Sequence, residues 1–120
     1  MVELKHDLLT TTYTRVVHEK DFKFNAPHLF RVHSLNAPEG NSVVGEIHFQ
    51  EGPIKENGVN GVMNEDLIAM VICRLDHFNQ SEFSCRENSM AITKLEEALL
   101  WLRKRTMGRE QRGVEGTHIK

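Results

Sequence analysis

The sequence predicts an α+β fold, with short strands confined to the first half of the chain and a two-helix hairpin in the second. Three observations carry that expectation. Residues 1–62 contain all three prolines, most of the glycines and a series of short stretches in which β-branched or aromatic residues alternate with polar ones. Residues 64–113 contain no proline and repeat apolar residues at helical spacing. The chain has 120 residues, enough for one ordinary core and one domain, organised as a mainly β part (1–62), a helical hairpin (64–113) and a tail (114–120).

In order along the chain, residues 11–17 (TTYTRVV), 22–24 (FKF), 29–33 (LFRVH) and 42–49 (SVVGEIHF) read as strands. Turn formers separate them: Asn25-Ala26-Pro27, the run 37–41 (APEGN) and Gly52-Pro53. Asn57-Gly58 and Asn60-Gly61 supply positive φ, so 57–62 is expected to be a tight, non-helical connection. Asn64 is a plausible N-cap, followed by acids at Glu65 and Asp66, where the helix dipole favours them. Leu67, Ile68, Val71, Ile72 and Leu75 then keep a helical period to about Phe78. Ser84 and Glu87 have capping-box spacing and open a second helix from Cys85 to about Arg112, closed by Gly113. The second helix spans roughly 40 Å and the first roughly 23 Å, so the first cannot cover the second and its far half needs another surface.

Composition excludes several classes. Fifteen Lys and Arg against seventeen Asp and Glu give a net charge of −2, which argues against a general nucleic-acid coat. No apolar run approaches the roughly 20 residues of a membrane span, and the first residues, MVELKHDLL, do not read as a signal peptide. Cys73 and Cys85 do not make a disulfide framework, so reduced thiols in a cytoplasmic setting are expected. The seven histidines are scattered without an HExxH or CxxC pattern, and no metal or other cofactor is expected. Neither cysteine has a neighbouring Cys–His arrangement in sequence, and Asp76-His77 diverge as adjacent residues on a helix. Glu96-Glu97 reads as a solvated helix face. No nucleophile with an activating base is visible, so no enzyme is expected.

Chemistry is richer on the second helix. At 100° per residue, Ala91, Ile92, Leu95, Ala98, Leu99 and Leu102 form one apolar stripe. Continued toward the C-terminus the stripe meets Arg105 and Arg109, and continued backwards it meets Asn88. Two arginines near a helix end have a plain reading, dipole complementarity and solvation. Guanidiniums at i and i+4 on one face also suit two phosphates, or a clamp on one. Phe78 reads either as a lid on the hairpin turn or as a stacking plate for a planar ring. Leu100 and Trp101 lie outside the stripe and read as packing under the sheet or as a contact between subunits.

Residues 47–118 resemble the phage and prophage proteins of the first Thoeris anti-defence family, which share a C-terminal helical hairpin with an anti-CBASS family. The resemblance rests on FQEGPIKENGVNG (49–61), CRENSMAITKLEEALLWL (85–102) and RGVEGTH (112–118). It implies an N-terminal antiparallel β-sheet followed by the hairpin, assembled as homodimers that in some members form hexamers. It implies a sponge in the bacterial host cytoplasm: a protein that binds cyclic ADP-ribose isomers made by TIR immune proteins and holds them uncleaved. The ligand-binding positions it implies are Phe78, Asn88, Arg105 and Arg109. Some members also bind cyclic di- or trinucleotides at a separate site between subunits. The alternatives are a sponge for CBASS cyclic oligonucleotides and an oligomerisation module with no small ligand.

Helix geometry constrains the implied site. Asn88 and Arg105 are separated by roughly 25 Å along one helix, too far for one ADP-ribose-sized ligand. Two long helices from two subunits, antiparallel, would set Asn88 of one against Arg105 and Arg109 of the other, giving two equivalent pockets.

Overall fold

A computed structural model describes residues 1–37 and 42–120. Four strands, β1 (Val2–Glu3), β2 (Thr14–His18), β3 (Leu29–Ser34) and β4 (Val43–His48), precede three helices, α1 (Ile54–Asn57), α2 (Asn64–Asn79) and α3 (Arg86–Gln111). The chain divides into two compact units, Met1–Val62 and Met63–Lys120. Among the described residues no helix is long and apolar enough to cross a membrane.

The first unit is an antiparallel meander in the order β1-β2-β3-β4. The pleat places Val16, Val32, Phe30 and Ile47 on one face, through the pairs Val16–Val32 and Phe30–Ile47. Phe30 meets Phe49 edge to face at 5.4 Å between ring centroids and His18 at 5.7 Å, an aromatic cluster at the end of that face. The opposite face carries Val17, buried at 5% exposure, beside the Arg31–Glu46 ion pair at 2.9 Å. A register shift between Val32 and His33 interrupts the β3–β4 ladder.

The expected strand at 22–24 is absent, and the reason is a side chain acting on backbone. The Glu19 carboxylate accepts the N–H groups of His28 at 3.1 Å and Leu29 at 2.9 Å, closing the segment between them into a loop. Buried His28 ties the loop inside by donating from Nε2 to the Lys23 carbonyl at 2.6 Å. Phe24 and Asn25 take φ of 54° and 72°, left-handed values that a strand does not contain. The expected strand at 11–17 is shorter and shifted, beginning at Thr14. The turn expected at 37–41 has its residues 38–41 outside the described residues.

The 49–61 motif is a loop stitched by its own amides. The Gln50 side chain donates to the carbonyls of Gly52 and Gly58 and accepts the Asn60 N–H, at 3.1, 2.7 and 2.9 Å. Asn60 in turn receives the Glu51 N–H and donates to the Glu51 carbonyl. Gly61 is required by close approach: a Cβ there would stand 2.5 Å from the Phe49 carbonyl. The short helix α1 within this loop was not expected, and Gly58 at φ 72° ends it.

The second unit is the hairpin. α2 and α3 run 16 and 26 residues, about 24 and 39 Å. The α2 N-cap is Met63 rather than Asn64; its N–H donates to the Asp66 carboxylate at 2.8 Å, which accounts for the acids in the first turn. Likewise Cys85, not Ser84, caps α3, because Asn79 at the end of α2 accepts the Cys85 N–H and donates to the Ser89 hydroxyl at 2.8 Å. One asparagine thus joins the two helix ends. Gly113, at φ 73°, follows the end of α3 as expected. No residue of α2 or α3 is buried, although Ile68, Ile72, Leu75, Ile92, Leu95, Leu99 and Leu102 are half-buried between them.

Candidate functional site

The two ends of the hairpin carry different chemistry. At the turn end stand Phe78, 42% exposed, and half-buried Asn88. Arg74 places its guanidinium carbon 5.4 Å from the Phe78 ring centroid, a cation–π contact that orients the ring. The turn between them is held by Ser81, whose hydroxyl donates to the Phe78 carbonyl at 2.6 Å, and by Asn79. The Asn88 side chain makes no hydrogen bond among the described residues.

At the other end of α3 an open groove of about 520 Å³ is lined by Trp101, Lys104, Arg105, Gly108, Arg109, Arg112 and Lys120. Five of those side chains are cations and none is acidic. The Lys104 ammonium lies 5.0 Å from the Trp101 ring centroid. Side chains of one sign concentrated in this way attract an anion.

The two arginines are not equivalent. Arg109 lies within the stripe and is half-buried, and its Nη2 donates to the carbonyls of Val114, Thr117 and Ile119 at 3.1, 3.1 and 3.0 Å. Those bonds wrap the tail around the guanidinium and leave its Nε and Nη1 edges to other acceptors. Arg105 is exposed, and its side chain has no hydrogen bond or ion pair among the described residues. The half-buried stripe passes instead from Leu102 through Thr106 to Arg109. The expected azimuth is corrected accordingly: Arg105 falls about 20° beyond the Ala98 edge of the stripe, enough to turn it into the groove.

Within one chain the structure therefore joins Arg105 to Arg109, and leaves Phe78 and Asn88 at the opposite end of the hairpin, roughly 25 Å away along α3. Sequence reasoning missed the rest of the groove. The available signal was periodicity, since Trp101, Arg105, Gly108 and Arg112 follow i, i+4, i+7 and i+11. Leu100 and Trp101 are 70% and 63% exposed.

Helical spacing also makes one pair that sequence adjacency hid: Cys73 Sγ stands 3.8 Å from His77 Nδ1. The same nitrogen donates to the Cys73 carbonyl at 2.9 Å, so it offers no lone pair to the thiol. Both cysteines are free and exposed. Among the described residues no cluster of three or more His, Cys, Asp or Glu is placed to hold a metal.

The chain is thus an α+β protein in which a sheet is followed by a helical hairpin that carries a cation-lined groove. Residues 41–107 match the family model described as Acb2/Tad1, hairpin domain. The chain is also 56% identical, over an alignment 142 positions long that covers 100% of both proteins, to Thoeris anti-defense 1 of Bacillus phage SBSphiJ7. The chain belongs to the Acb2/Tad1 hairpin family.

Proposed function

We propose that this protein is a phage anti-defence sponge that binds cyclic ADP-ribose-type signals made by TIR proteins and holds them without cleavage, in the host cytoplasm. The full-length similarity to a Thoeris anti-defense protein supports the biological role. The observation that carries the chemistry is the groove, whose cations can grip a pyrophosphate while an aromatic plate and an amide read the rest of the ligand. Lysine and arginine side chains remain protonated near neutrality and bind anions without supplying a base. Retention rather than turnover demands affinity. Clearing a trace signal needs nanomolar binding, about −12 kcal/mol.

The 25 Å separation in one chain supports a site shared between two. We infer a two-fold dimer in which α3 helices lie antiparallel, with Phe78 and Asn88 of one protomer facing Arg105 and Arg109 of its partner. The hairpin's exposure favours such a dimer, because neither helix buries a single residue and Leu100 and Trp101 are open.

Calorimetric titration with cyclic ADP-ribose isomers, linear ADP-ribose and cyclic trinucleotides tests the ligand class. Saturation at one cyclic ADP-ribose-type ligand per chain is the expected result, and a preference for a trinucleotide would transfer the reading to CBASS signals. Mixing Asn88→Trp chains with Arg105→Ala/Arg109→Ala chains tests the shared site. Heterodimers recover one working pocket of two if the site is shared; no recovery despite confirmed subunit exchange refutes the arrangement.

A further inference from the structure

Gly108 is the least explained residue of the groove. It sits inside α3, where glycine is among the poorest helix formers, and no backbone conformation demands it. Nor does packing: a Cβ built at Gly108 meets nothing within 4 Å. The chain thus carries a helix-weakening residue at a position with room for a side chain. Around it stand Arg105 at i−3, Arg109 at i+1 and Arg112 at i+4, with Trp101 two turns back, all lining the groove. On the groove face, Gly108 fills the gap between Arg105 and Arg112, whose Cα atoms are about 10 Å apart. Arg112 spends one nitrogen, Nη1, on the Lys120 carbonyl at 3.0 Å and keeps the rest of its fork.

The geometry points to Gly108 as the floor of the ligand's phosphate subsite: its missing side chain is the space in which a pyrophosphate lies against the helix, between Arg105 and Arg112. This rests on the sponge reading above and deepens it, because it makes Gly108 a size gate and Arg112 a third phosphate ligand. A side chain on the floor would lift the phosphates away from both guanidiniums, lengthening charge-assisted hydrogen bonds that depend on close contact. Gly108 is therefore expected to oppose stability and favour binding.

Substitution separates the two effects. Gly108→Ala is expected to raise the melting temperature by about 3–6 °C through helix propensity. It is also expected to weaken binding of a cyclic ADP-ribose isomer and of inorganic pyrophosphate at least tenfold. Gly108→Leu is expected to weaken both at least 100-fold, and Arg112→Ala to weaken both about tenfold. Light scattering accompanies each titration. Wild-type affinity in Gly108→Ala and Gly108→Leu would overturn the inference while leaving the sponge reading intact. Weakened binding that coincides with a changed oligomeric state would also overturn it, because the glycine would then serve contact between copies. A wild-type protein that binds neither probe overturns the sponge reading and this one together.

Discussion

The sheet unit and the hairpin unit spend their polar groups in opposite ways. In Met1–Val62 the polar side chains turn inward to the chain's own backbone: Glu19 on His28 and Leu29, Gln50 on Gly52 and Gly58, Asn60 on Glu51. In Met63–Lys120 the turn is sewn in the same manner by Asn79, but the far end of α3 gathers five cations with no acidic side chain among them. The hairpin's apolar residues are likewise incomplete, half-buried at best. The first unit closes its loops on its own backbone, whereas the second leaves a cation-lined groove open at the end of α3. Substitutions in the first unit should move stability, and substitutions at the groove should move binding.

The largest expected effect is at the arginines. Arg105→Ala/Arg109→Ala should weaken ligand binding at least 100-fold in titration, since each charge-assisted bond contributes about 1.5–3 kcal/mol. The single variants sharpen the contrast. Arg105→Ala should leave the unfolding midpoint unchanged, whereas Arg109→Ala should also lower stability by about 1 kcal/mol, because it releases the tail carbonyls. Arg109→Lys should weaken binding as well, because an ammonium lacks the planar fork.

Next in size, Gly61→Ala should cost the fold about 1–3 kcal/mol in chemical denaturation, because the Phe49 carbonyl cannot retreat from a new methyl group. Binding by the fraction that remains folded should match the wild type. A loss of affinity without a loss of stability would break the proposed division. Phe78→Ala should do the reverse, losing about 1–3 kcal/mol of binding from stacking with little change in unfolding, since the ring is 42% exposed.

The smallest effect is electrostatic and belongs to the sheet unit. Partial burial pushes the Glu19 carboxyl up, but the N–H groups of Leu29 and His28 outweigh it and hold the carboxyl below the usual carboxylate range. A carboxyl with a lowered folded pKa adds stability above its unfolded pKa and loses it as pH falls through the folded one. Melting temperature should therefore fall between about pH 5 and pH 3, and Glu19→Gln should flatten that part of the profile.

How legible each feature was in the sequence follows the range of the interaction that makes it. Helix extents and the inner faces of α2 and α3 were readable because the 3.6-residue period is local, and Gly113 marked its own boundary. The α3 cap shifted by one residue because Asn79 acts across the hairpin turn on Cys85, a contact that no local pattern encodes. The strand expected at 22–24 failed for the same reason, since Glu19 reaches His28 and Leu29 across the intervening loop. At the groove, Arg105 and Arg109 were visible as a pair, but their different settings were not. The tail that occupies Arg109 folds back over the helix end, and the edge of a stripe is finer than a 100° wheel resolves. The 49–61 motif was recognisable as a signature, while its work, amides closing a loop, needed three dimensions.

The central claim, that the protein holds an immune signal without changing it, is tested most directly by recovery of the ligand. Purified protein is incubated with the product of an active TIR enzyme, freed of unbound nucleotide, heat-denatured and its supernatant resolved by chromatography. The account predicts near-stoichiometric release of the intact cyclic ADP-ribose isomer, and none from Arg105→Ala/Arg109→Ala. Release of linear ADP-ribose or another altered nucleotide, or a wild-type supernatant without the signal, would contradict it.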